Sequence, residues 1–195
     1  MPSSPIIAVV GLCGAGKSEV AKRFVQRGYR CVYFGQITME ELERRHLPIN
    51  EANERQVRER FRKEYGMAAF AILNGPKIDA WRAGGDHTII DGLYSWSEYK
   101  LLKEKYGDAL KVVAVSAPPE LRYARLAIRQ SALSNDGTGQ HRPLSREEAR
   151  ERDYAEIENI EKAGPIAMAD VTLLNIGTLD DLDTAVDDLH LTLTV

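Results

Sequence analysis

The chain has little with which to bind a structural metal, staple itself or cross a membrane. Its two cysteines, Cys13 and Cys31, are too few for a disulfide framework and lack metal-type spacing. A reducing, cytoplasmic setting is therefore expected. The four histidines, His46, His87, His141 and His190, are scattered, so packing or surface roles are expected of them. Aromatic residues are scarce, and Trp81 and Trp96 read as packing residues rather than substrate platforms. No run approaches the ~20 apolar residues that span a bilayer. Met1 to Pro5 has neither the basic segment nor the apolar run of a signal peptide. The formal net charge is −3, which leaves no global basic field for a nucleic acid polymer or an anionic membrane. Any anion site must be local.

What is present is a soluble-type composition, 44% apolar over 195 residues, enough for one domain with a full core. Short β-rich runs alternate with amphipathic helices, which predicts an α/β fold with a five-stranded, mainly parallel sheet between helical layers. The strands are expected at Ile6–Val10, Cys31–Phe34, His87–Asp91, Lys111–Val115 and Val171–Leu174. A helix from Lys17 turns Val20, Ala21, Phe24 and Val25 inward and stops at Gly28. Residues 36–83 carry no strand signal and read as a helical insertion. In it Thr38 and Glu41 form one capping-box pattern, and Asn50 caps a second helix. Ser95 with Glu98, Ser145 with Glu148 and Thr178 with Asp181 start later helices, and Pro119 suits the first turn of another. Gly164-Pro165 is read as the stop of the helix from Ser145. The polar stretch 131–144 reads as a mobile loop within a lid spanning 130–146.

Gly11-Leu12-Cys13-Gly14-Ala15-Gly16-Lys17-Ser18 matches G-x-x-x-x-G-K-[ST] between a strand and a helix. Glycines let the backbone wrap a phosphate with its N–H groups turned inward. The helix that follows adds its positive dipole end. ATP and Mg²⁺ are therefore the expected cofactors, with Lys17 on the β- and γ-phosphates and Ser18 on the metal. Gly11, Cys13, Gly14, Ala15, Gly16, Lys17, Ser18 and, one turn into the helix, Val20 are the candidate donor-binding residues. Cys13 is expected to serve as a small side chain.

Asp91 ends an apolar strand, where a carboxylate points into the ligand crevice of a parallel sheet. Metal work, alongside Ser18, and base work are both open to it. In the insertion, Arg55, Arg58 and Arg62 share a helix face, and a guanidinium suits an acceptor's phosphate. Alternation with Glu51, Glu54, Glu59 and Glu64 fits an ordinary salt-bridged helix equally well. Gln36, at the end of the second strand, is expected to face the same crevice. Seven arginines, Arg122, Arg125, Arg129, Arg142, Arg146, Arg150 and Arg152, surround the lid. Cations delivered by a closing lid lower the barrier to phosphoryl transfer. Two or three are expected to do chemistry, foremost Arg129 and Arg142; the others should face solvent or pair with Glu147, Glu148, Glu151 or Glu156.

This order of motifs resembles the nucleoside-monophosphate kinase group, and within it dephospho-CoA kinase and the archaeal-type adenylate-kinase-related proteins. Three features carry the closer likeness. They are Ile89-Ile90-Asp91-Gly92 followed by Tyr94-Ser95 and Glu98, then Arg152-Asp153 with Glu156, then Ala169-Asp170 leading to Asn175. The resemblance implies donor phosphates and Mg²⁺ at Gly14 to Ser18, Arg129 over the donor adenine, and Asn175 to Thr178, including Gly177, beside the base. The candidate acceptor-site residues are Gln36, Arg58, Arg62, Gly92 and Tyr94. Dephospho-CoA kinases have an aspartate near Gln36, and the archaeal-type relatives favour an arginine where Tyr94 stands, so an aromatic could stack on an acceptor base. The expected activity is phosphoryl transfer from ATP to a small, nucleotide-like acceptor. Alternatives are a kinase of a non-nucleotide metabolite, a nucleotide-dependent switch or assembly ATPase, or a degenerate binding module.

Overall fold

The computed structural model describes residues 5–128 and 144–193. Five strands, β1 (Ile6–Val10), β2 (Arg30–Tyr33), β3 (Thr88–Asp91), β4 (Leu110–Ser116) and β5 (Val171–Leu174), form one sheet in the order β2-β3-β1-β4-β5. Every pairing is parallel. β1 lies at the centre and all five of its side chains are buried, as a strand covered on both faces requires. Alternation divides its residues between two cores. Ile6, Ala8 and Val10 pack with Phe34, Phe70, Ile90, Leu102 and Val112 on one face. Ile7 and Val9 pack with Val20, Phe24, Ile89, Val113, Val186 and Leu189 on the other.

Helices α1 (Lys17–Gln26) and α9 (Leu179–Leu193) cover the second face. Phe24 is wholly buried there, and truncating such a ring costs ~3–5 kcal/mol. Arg23 on α1 and Arg27 just beyond its end pair with Asp183 and Asp187 on α9. Val25, expected to face inward, is 43% exposed; the inner stripe takes Val20, Ala21 and Phe24 only.

The insertion is helical as expected: α2 (Gln36–Arg44), α3 (Glu51–Tyr65) and α4 (Ala69–Ala83). Asn50 caps α3 by accepting from the Asn53 amide at 2.9 Å. The Thr38–Glu41 cap is overturned. Gly35 is the N-cap of α2, and Thr38 lies buried in its first turn. Glu41 turns outward to Arg44, Arg45 and Arg60. The helix α5 (Trp96–Tyr106) starts at a complete capping box of Ser95 and Glu98. Pro119 opens α6 (Pro119–Ile128), and Ser145 with Glu148 caps α7 (Arg146–Ile160). Thr178 and Asp181 exchange hydrogen bonds at the start of α9.

The stop of α7 also differs from expectation. Glu161 turns left-handed at φ 53°, and the Lys162 amide bonds back to the Glu156 carbonyl at 3.1 Å. Gly164-Pro165 instead lies in the short helix α8 (Ala163–Ala167). The helix α9 runs on through Leu191 to Leu193. Among the described residues no helix is long and apolar enough to cross a membrane. Of the expected lid, 130–143 lies outside the described residues, while Leu144 is buried against Tyr123, Leu126 and Ala149.

Candidate functional site

The motif Gly11–Ser18 runs from the C-terminal end of β1 into α1, at the middle of the sheet. Gly16 takes a left-handed φ of 105°, and no side chain caps the helix it precedes. Its missing Cβ also has a packing cause. A methyl there would drive into the Asn175 side-chain amide, and one at Gly14 would sit 2.7 Å from the Arg122 carbonyl. The loop is thus clasped from outside. Asn175 donates to the Ala15 carbonyl at 2.8 Å, and Arg122 donates to the Cys13 carbonyl at 3.0 Å. Cys13 is partly buried and packs as a small side chain against the cluster of Tyr123, Leu126, Leu144 and Ala149. Val20 does not reach the crevice. Its side chain is fully buried in the core, and its amide is bonded to the Gly16 carbonyl.

Lys17 donates to the Leu12 carbonyl at 3.2 Å. Desolvation and, second, the charge of Lys162 bring its pKa down from 10.5 to about 8. Asp91 opposes that fall, so the sheet brings these two sequence-predicted residues within electrostatic reach. Asp91 is nearly buried at the end of β3, in register with Val9 and Tyr33 on the neighbouring strands. Gly92 behind it is buried.

Tyr94 shares a side-chain hydrogen bond with Tyr33, and burial raises its hydroxyl well above the usual phenol range. Its ring meets Phe70 edge-on, with centroids 5.8 Å apart, and carries the Lys162 ammonium 5.3 Å above it. Lys162 is 1% exposed and donates to Glu156 Oε2 at 2.7 Å; Arg152 approaches Glu156 Oε1 at 3.2 Å. Burial pushes the Glu156 carboxyl up, but Lys162, Arg152 and Lys17 outweigh it and hold it at about 2. Lys162 carries no sequence signal, because it lies beyond the end of α7 and only the turn at Glu161 returns it to Glu156 and to the Tyr94 ring. Arg152 and Glu156 stand in a motif, and Glu156 is among the acids expected to pair with a lid arginine, as it does.

On the insertion side the three arginines separate. Arg55 pairs with Glu59, and Arg58 is spent on Glu51 and Glu54 of its own helix. Arg62 turns inward over the Phe70 ring at 5.4 Å, with its Nε buried and lacking a hydrogen-bond partner among the described residues. Burial lowers its pKa, which the charge of Glu98 partly restores. Glu98 is fully buried; Oε2 accepts from the Tyr94 and Ser95 amides at 2.9 Å, while Oε1 has no partner there. Desolvation raises its pKa to about 7 against the pull of those two amides. Gln36 is the first residue of α2 and half-buried, rather than the end of β2.

Arg129 and Arg142 lie outside the described residues. The remaining lid arginines are paired. Arg122 is locked to Asp153, Arg146 to Glu120, Arg150 to Glu147 and Arg152 to Glu156. Arg125 donates to the Asn175 carbonyl at 3.0 Å. Both backbone groups of Asn175 are engaged, since its amide bonds to the Ser116 carbonyl at 2.8 Å. Gly177 is exposed beside Asp181.

Among the described residues no group of three or more His, Cys, Asp or Glu could hold a metal ion alone. That fits Mg²⁺ at a nucleotide site, where phosphates and water supply most ligands and the protein one or two. The loop with its uncapped helix and the lysine behind it can bind a polyphosphate, and the strand-end carboxylate suits the cation that accompanies one.

The comparisons with known proteins agree with this geometry. A family model of an AAA domain matches residues 7–151. A UPF0200 protein of Thermococcus kodakarensis is 34% identical over 186 residues, covering 94% of this chain and 95% of that protein. One of Halobacterium salinarum is 32% identical over 184 residues, covering 94% and 91%. A shikimate kinase from Bacteroides thetaiotaomicron superposes with a TM-score of 0.59 at 17% identity, over 98% of this chain and 99% of that one. A gluconokinase from Sinorhizobium meliloti gives 0.52 at 14% identity, over 98% and 97%. At such identities the likeness shows a shared P-loop kinase-like fold.

Proposed function

The chain belongs to the UPF0200 family and matches an AAA domain over residues 7–151, and from that premise we propose that it is an ATP- and Mg²⁺-dependent kinase of a small, nucleotide-like acceptor. The observation that carries the reading is that Lys17, behind the phosphate loop, lies within electrostatic reach of Asp91 and of the Lys162–Glu156 pair that Arg152 joins. A hydrolytic switch shares the phosphate loop and also uses an extra cation; the inward Arg62 and the ring of Tyr94 are what favour an acceptor here.

In this reading Gly14, Ala15 and Gly16 supply the backbone cradle, and Lys17 neutralises the β- and γ-phosphates. Ser18 and Asp91 would hold Mg²⁺, which supplies charge neutralisation across the phosphate oxygens. Arg62 and Tyr94 line the acceptor side, where Tyr94 presents a ring face and Arg62 an inward guanidinium. Asp91 also stands where an accepting hydroxyl could pass its proton. Asn175 and Arg122 keep the loop in the conformation that binds. Proximity and charge neutralisation then do most of the work, as phosphoryl transfer demands little covalent chemistry of the protein.

A second reading is a kinase of a non-nucleotide metabolite. It draws support from Gln36, which stands where dephospho-CoA kinases have an aspartate, and from structural neighbours that include a shikimate kinase and a gluconokinase. The deciding experiment is Mg-ATP with a panel of nucleoside monophosphates, dephospho-CoA, nucleosides and sugar acids, followed by ADP release and product mass. One acceptor that raises turnover well above the ATP-only rate, and does not in K17A, names the substrate. A flat panel with tight ATP binding sinks both kinase readings in favour of a switch.

A further inference from the structure

Lys162 is among the largest fully buried side chains of the protein, yet it carries a charge. Three parts of the fold converge on it. The left-handed turn at Glu161 folds it back under α7, toward Glu156. Its ammonium lies over the ring of Tyr94, in the segment that leads from β3 to α5. Its charge reaches Lys17 behind the phosphate loop and Glu98 at the start of α5.

We infer that Lys162 is a residue of the transfer centre, whose ammonium contacts the anionic oxygens of the bound substrate while Glu156 serves as its resting counter-ion. The inference rests on the kinase reading and adds a residue to it. A purely structural role explains the arrangement poorly. A buried Lys–Glu pair is a weak source of stability, since an apolar pair of similar volume commonly does as well. Here the pair is also placed against its own interest. Lys162 and Arg152 share the single carboxylate of Glu156, and Lys17 adds a third positive charge nearby. Like charges set close together in a partly dry site repel one another. A polyphosphate or a phosphorylated acceptor between the loop and Tyr94 turns that repulsion into attraction. The groups facing Lys162 fit this use: Glu156 holds it at rest, Tyr94 offers a ring face, and the Glu98 carboxyl can be protonated near neutral pH.

The test is a double-mutant cycle on the full chain, with K162M, E156Q and K162M/E156Q. Calorimetric affinity for Mg-ATP, the KM and kcat for transfer, and the melting temperature are read for each. If Lys162 only neutralises Glu156, the double variant removes both charges as near-isosteres and regains the wild-type affinity and turnover. That result would overturn the inference. If Lys162 contacts substrate, the double variant melts near the wild type. It still loses tenfold or more in Mg-ATP affinity or in kcat, and K162R recovers part of the loss. Should K162M alone fail to fold, the double variant and K162R still decide. A wild type that binds no Mg-ATP, or a K17A variant that binds it equally well, takes down the kinase reading with this one; normal wild-type binding with a fully restored double variant takes down Lys162 alone.

Discussion

The Arg122 guanidinium meets the Asp153 carboxylate along two hydrogen bonds, of 2.9 and 2.6 Å, and spends a further contact on the Cys13 carbonyl. One buried ion pair therefore ties α6, α7 and the phosphate loop together. Tyr123 adds its hydroxyl to the same carboxylate at 2.9 Å. Both partners are almost wholly buried. Removing one strands the other, at a cost of ~3–5 kcal/mol, whereas removing both for apolar residues costs much less. D153A is expected to lower stability by that amount in urea melts, and R122M/D153L to recover most of it. Equal losses in the single and double variants would show the pair to be incidental.

Gly16 gives the second prediction. Its Cβ position is taken by the Asn175 amide, and its φ of 105° suits glycine. G16A must displace Asn175 from Ala15 or distort the loop. Mg-ATP affinity is expected to fall at least tenfold while far-ultraviolet circular dichroism stays unchanged. N175A, which leaves the glycine but removes the clasp, should weaken binding by less. An unaltered affinity in G16A contradicts the clasp.

Lys17 sets a pH dependence. With a folded pKa of about 8 against 10.5 unfolded, the folded protein loses this proton first as pH rises. Between pH 8 and 10.5 the unfolded chain holds more protons, so this group makes stability rise with pH across that window. K17M should flatten that slope. A triphosphate favours the charged amine, so ATP binding at pH 9 is expected to draw in a proton. Binding heats measured in two buffers of different ionisation enthalpy read it directly, and no uptake would refute the lowered pKa.

Glu98 has the opposite sign. Its folded pKa of about 7 exceeds the usual 4.5, so its contribution to stability is intact below pH 4.5 and is lost as pH rises through 7. A tenfold change in proton affinity is ~1.4 kcal/mol. E98Q keeps an oxygen for the Tyr94 and Ser95 amides and removes the buried charge. It is expected to come close to the wild type at pH 4.5 and to exceed it by up to ~3 kcal/mol at pH 8. Equal stability at both values would mean that Glu98 ionises without penalty.

Much of this architecture was legible because its signals are local. Ile6–Val10 is apolar throughout, the glycine-lysine-serine sequence follows at once, and Ser95-x-x-Glu98 needs only three residues to declare a cap. Val171–Leu174 was read to the residue. Thr38 and Glu41 fit the same capping pattern, but Gly35 starts the helix earlier and tertiary packing takes Thr38 into the core. The site was harder because its charges choose partners across the chain. Arg122 finds Asp153 31 residues away, and nothing in its neighbourhood separates it from a lid cation. Arg58 and Arg62 share a helix face, yet neighbouring glutamates claim one while the other turns over Phe70.

The central place of β1 also has a consequence for synthesis. Its partner β3 pairs Thr88 with Ile6, some eighty residues downstream, and the clasp from Asn175 to Ala15 spans 160. At ~5–20 residues per second, a ribosome needs ~4–16 s to deliver the first neighbour and about twice that for the clasp. Throughout that interval Ile6–Val10 is an unpaired apolar segment, the part of the nascent chain that chaperones have most reason to hold.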